Sequence, residues 1–95
     1  MEQVLTEEQK TQKLKEYITK VSDIIASDED VKKFVTDTES GLKTTKGNYG
    51  KYMSFLSTQK KNGRAFTMGV AEGLKKAGAD YYGVDWAMRL LYGGY

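Results

Sequence analysis

Ala65, Gly69, Gly73 and Ala77 stand four residues apart, and in a helix that spacing puts them on one line. Glycine inside a helix costs about 0.8–1 kcal/mol relative to alanine, so two of them need a local reason. A line without side-chain bulk lets another helix, a ring or a ligand lie directly against the backbone. One reading packs the first or the fifth helix of the chain on this stripe, inside the monomer. The other makes Gly69 and Gly73 part of an exposed interface for a second subunit or a flat ligand. The pattern resembles the small-residue spacing of membrane helix pairs, but Glu72, Lys75 and Lys76 beside it do not suit lipid.

A stripe of this kind presupposes helices, and the rest of the chain supplies them. Thr6, Glu7, Glu8 and Gln9 have the form of a capping box. The apolar run Leu14, Tyr17, Ile18, Val21, Ile24 and Ile25 has the period of a helix facing a core, giving a first helix over Glu7–Ala26. On this reading Ile18→Asp or Ile24→Asp unfolds the domain. Ser27 is the expected N-cap of a second helix over Asp28–Ser40, with Asp28, Glu29 and Asp30 at the positive end of its dipole. Val31, Phe34, Val35 and Thr38 share its inner face, and Gly41 with Leu42 closes it. The segment 43–47 (KTTKG) is the expected loop, and residues 1–5 are expected to fray.

Asn48 can cap a third helix over Tyr49–Lys61, with Tyr49, Tyr52, Met53 and Leu56 inward. Asn62–Gly63 makes a turn into a fourth, Arg64–Ala77, which carries Phe66, Val70 and Leu74 beside the stripe and ends at Gly78. Asp80 caps a fifth, Tyr81–Tyr92, with Val84, Ala87, Met88 and Leu91 inward and Gly93–Gly94 as the stop. No segment alternates with period two. The expectation is an all-α single domain, residues 1–95, of four to five short helices: an amphipathic N-terminal pair and a glycine- and aromatic-rich C-terminal group.

Composition narrows the chemistry. The chain has no cysteine, histidine or proline, which removes thiolate chemistry and the commonest general base and metal ligand. The cluster Asp28, Glu29, Asp30 lacks the alternating ligands, central glycine and closing glutamate of a calcium loop, and the GxxxxGK[ST] phosphate loop is absent. Asp85 and Arg89 read as a surface ion pair one turn apart. No nucleophile stands beside a base, so no enzyme, cofactor or metal is expected. No apolar run is long enough to span a membrane, and the polar N-terminus lacks the order of a signal peptide. A soluble, cytoplasmic protein is the expectation.

The two halves differ. Residues 1–48 carry eight basic and ten acidic side chains, residues 49–95 seven and three; nine of the eleven aromatic residues fall in the second half. Tyr81, Tyr82, Trp86, Tyr92 and Tyr95 exceed what one face of the last helix can bury, and such rings suit interfaces, with Tyr82, Trp86, Tyr92 and Tyr95 the candidates. The leading expectation is therefore a small binding protein acting through protein–protein contacts. It would form a homo-oligomer or act as a modulator docked on a larger protein, as phage and mobile-element accessory factors do. An alternative rests on the basic segment Lys43–Lys76, where Lys51, Lys60, Lys61 and Arg64 alternate with aromatic residues and could contact nucleic acid or a phosphorylated ligand. A structural subunit of a larger particle is the third possibility.

Overall fold

The computed structural model describes residues 6–37 and 49–93. They form five α-helices and one short 3₁₀ turn: α1 (Glu7–Ser27), α2 (Glu29–Thr36), α3 (Tyr49–Gln59), the turn Lys60–Asn62, α4 (Arg64–Lys76) and α5 (Tyr81–Tyr92). No strand occurs among the described residues. The expected fraying of residues 1–5, the 43–47 loop, Thr38, Gly41, Leu42, Asn48, Gly94 and Tyr95 lie outside them.

Local chemistry explains the boundaries. The capping box forms: the Gln9 N–H donates to Thr6 Oγ1 at 3.1 Å, and the Thr6 N–H donates to Gln9 Oε1 at 2.9 Å. The start of α2 corrects the expectation of Ser27 as its cap. Ser27 stays in α1, and the Asp28 carboxylate accepts the N–H groups of Asp30 and Val31 at 2.8 and 3.2 Å. Asp28 thus closes one helix and opens the next, and its charge suits the dipole of α2 better than a hydroxyl does. α3 ends two residues before the expected Lys61 because the chain tightens into the 3₁₀ turn. Gly63, at φ +100°, then turns it into α4. Buried Thr67 fixes that junction, its hydroxyl 3.1 Å from the Gln59 carbonyl and 2.8 Å from that of Gly63.

α4 closes with a Schellman motif. Gly78, at φ +105°, donates to the Lys75 carbonyl at 3.1 Å, Ala79 donates to Leu74 at 2.9 Å, and Ala79 and Leu74 are both buried. The Asp80 carboxylate then accepts from Tyr82 and Gly83 to start α5.

One core unites the helices: Val21, Val35, Tyr52, Leu56, Val70, Leu74, Val84 and Met88, with Phe34 against Phe55 at 5.3 Å between ring centres. α1 lies along the small-residue stripe of α4. Val21 meets Gly69, and Ile25 meets Gly73; numbering rises together along both helices, so they run parallel. A Cβ built on Gly69 would fall 2.6 Å from Val21 Cβ, and one on Gly73 would fall 2.5 Å from Ile25 Cβ and 2.9 Å from the Ser22 carbonyl oxygen. The glycines are therefore the condition for this close approach.

The apolar face of α1 is less covered than its period suggests. Val21 is buried and Ile18 and Ile25 half-buried, but Leu14, Tyr17 and Ile24 are 48%, 46% and 61% exposed. A helix of 21 residues is about 31 Å long and outruns the 13 residues of α4; residues 7–17 are exposed throughout. Ile24→Asp is consequently expected to leave the fold intact. Tyr49, expected inward, is also exposed.

Candidate interaction surface

α5 is apolar on one side and aromatic on the other. Gly83, Val84, Ala87 and Met88 are buried, while Tyr82 is 64% and Trp86 55% exposed, with Tyr81 and Leu90 also outward. The reason is spacing: Val84, Ala87, Met88 and Leu91 share one face, and Tyr82, Trp86 and Arg89 share another. Tyr81, Tyr82, Asp85, Trp86 and Arg89 line a shallow depression of about 390 Å³. Tyr49, from the first turn of α3, extends this surface, its ring 6.4 Å from that of Trp86.

Two contacts hold α5 in this pose. Gly83 lies against the buried ring of Tyr52, where any Cβ would collide with the ring edge. The Asp80 N–H donates to the Tyr52 hydroxyl at 2.7 Å. The second contact is Lys75 at the end of α4. Its ammonium sits 2.7 Å from Asp85, 3.2 Å from Glu72 and 4.6 Å from the centre of the Tyr81 ring. Asp85, expected to pair with Arg89, is thus held by α4, and Arg89 points to the exposed side.

The sequence candidates separate into groups. Tyr82 and Trp86 come together. Gly69 and Gly73 do not join them: both are buried beneath α1, which takes up the close-contact surface within the chain. Tyr92, half-buried at the far end of α5, lies under two cations, Lys60 at 5.6 Å and Arg64 at 5.3 Å from its ring centre. Its hydroxyl is buried without a hydrogen-bond partner. Lys61 is exposed on the 3₁₀ turn. Lys51 is not part of that group: nine residues earlier, it lies about 13 Å away along the helix axis, beside Phe34, Ser54, Phe55 and Thr58.

Sequence reasoning missed Tyr49 as a surface ring and Gly83 as a contact, and counted Tyr81 among the surplus rings without naming it as an interface candidate. Gly83 carried a usable signal, since it too is an interior helix glycine and obeys the logic applied to Gly69 and Gly73.

Among the described residues no group of three or more acidic side chains could hold a metal ion, and no helix is long and apolar enough to cross a membrane. The chain matches no protein-family model, no curated protein and no solved structure.

Proposed function

We propose that this is a small non-enzymatic binding protein acting through protein–protein contacts, and that its first contact is with a second copy of itself across the outer face of α5. The observation that carries the reading is the exposure of Trp86, the single tryptophan, beside Tyr82, Tyr81 and Tyr49. Exposed aromatic clusters of this kind are what interface centres are made of. The face is also self-complementary. A twofold axis passing between Asp85 and Trp86 of two antiparallel α5 helices sets Arg89 of each copy over Tyr82 of the other. Such an isologous pairing uses each contact twice.

Light scattering across a concentration series tests this. A mass rising to twice that of the chain, restored to the monomer by Trp86→Ala or Arg89→Glu with the helical spectrum unchanged, is the expected result. A monomer at every concentration refutes self-association and leaves docking on a larger protein as the form of the proposal. Phosphate or nucleic-acid binding has less behind it, because Lys51 is remote and Lys60 and Arg64 are engaged with the Tyr92 ring.

A further inference from the structure

Among the described residues, α1 is covered on one flank only. Leu14, Tyr17, Val21 and Ile24 recur at intervals of three and four, the core spacing of a two-stranded coiled coil. Val21 on that line is already buried against α4 and Ile25 beside it is half-buried there, so Leu14, Tyr17 and Ile24 are the open positions. On the other flank the residues preceding Leu14 and Val21 are Lys13 and Lys20, with Lys10 one turn before Lys13. Lys10 meets Glu7 at 3.6 Å; no ion pair engages Lys13 or Lys20 among the described residues. The carboxylates of this stretch, Glu16 and Asp23, fall seven residues apart on a different line, and Asp23 is bound by Lys76 at 2.8 Å. The open flank is therefore apolar with Lys13 and Lys20 along its edge, and Glu16, one turn from each of them, lies beyond that edge.

We infer that the open flank of α1 docks an acidic amphipathic helix of a partner protein. The apolar side of that helix would lie on Leu14, Tyr17 and Ile24, and its flanking carboxylates would meet Lys13 and Lys20. Charge decides the occupant. Antiparallel pairing of two α1 helices, with Leu14 on Ile24 of the other copy, brings the two Lys20 side chains together at the twofold axis. Parallel pairing instead sets Lys13 and Lys20 against Ile18 and Ile25, the flank that α4 already covers. Both therefore oppose a second copy here. A lipid surface fits poorly as well, since three partly exposed apolar side chains leave little to insert. This site is separate from the aromatic face of α5, and it does not depend on whether α5 self-associates.

Fluorescence anisotropy with two labelled synthetic peptides tests the inference. Both span three heptads with leucine at the core positions; one carries glutamate and the other lysine at the flanking positions. At low salt the glutamate peptide should bind at least about tenfold more tightly, with the margin shrinking as salt is added. Lys13→Glu with Lys20→Glu should invert the preference. Tyr17→Ser with Ile24→Ser should abolish binding of both peptides without changing the helical spectrum. Equal affinity for the two peptides, or binding of neither, overturns the inference. It is equally overturned by a dimer that Ile24→Asp dissolves, which would assign the flank to a second copy. Retention on phosphatidylserine vesicles in place of peptide binding would assign it to lipid and overturn it too.

Discussion

Gly69 and Gly73 lie under α1, so close that a single added carbon would strike Val21 or Ile25, whereas Tyr82 and Trp86 on the next helix stand more than half exposed. Both regions depart from ordinary helix composition, one by lacking bulk and the other by having too much. The fold uses the first to bring two helices together and leaves the second outside. What separates them is whether a matching element exists among the described residues. Val21 and Ile25 fit the grooves left by the two glycines, whereas Tyr49 of α3 meets Trp86 at its edge, Lys75 of α4 lies over Tyr81, and the rings stay exposed.

The largest effect that could break this contrast is at the seam. Gly73→Leu should lose roughly 3 kcal/mol through overpacking, a large share of the 5–15 kcal/mol typical of a domain, and Gly69→Leu with Gly73→Leu should not fold. Even Gly73→Ala should destabilise, because the Ser22 carbonyl that its methyl would meet is backbone and cannot rotate away. On an exposed helix the same change would gain up to about 1 kcal/mol. Thermal melts of the three variants decide between a packed seam and an open stripe.

Gly83→Ala is the next test. It displaces the Tyr52 ring and with it the bond to Asp80, so a loss of about 2 kcal/mol is expected by denaturant titration. Stability unchanged by this substitution would mean that α5 is not held against α3 in the way described.

Thr67→Val sharpens the role of the junction between α3 and α4. It keeps the shape and removes the hydroxyl that serves the Gln59 and Gly63 carbonyls, for an expected loss of about 1–2 kcal/mol. Ser22→Ala should have the opposite sign. Ser22 Oγ is buried in the seam without a hydrogen-bond partner, so its removal should stabilise by about 1 kcal/mol. The smallest effects belong to the exposed regions: Trp86→Ala and Ile24→Asp should each move stability by less than about 0.5 kcal/mol. A large loss from Ile24→Asp would restore α1 to the core face that its period suggested.

Particular residues show why the sequence was readable in some places and not in others. Helix ends depend on neighbours in the chain, so Thr6, Gly63, Gly78 and Asp80 announced themselves, and the bounds of α5 were legible to the residue. Ser27 misled because serine and aspartate both cap well and stood side by side. The stripe was legible as a contact, but which helix would fill it depends on long-range packing that spacing does not encode. Leu14, Tyr17 and Ile24 were misread for a related reason: periodicity says which side chains share a face, not how much of that face finds a neighbour. At the candidate surface, Tyr82 and Trp86 were legible because they fall off the inward line of α5. Tyr49 was not, since its spacing matches that of buried Tyr52 and Leu56.

The intrinsic fluorescence of Trp86, recorded as protein concentration rises, tests most directly whether the outer face of α5 is a contact surface between copies. With one tryptophan in the chain the signal has a single source. Emission should shift to shorter wavelength and acrylamide quenching should weaken over the same range in which the mass doubles, and Arg89→Glu should suppress both changes. Emission and quenching that stay those of an exposed indole at every concentration, while the mass doubles, would place the contact elsewhere and contradict the role assigned to this face.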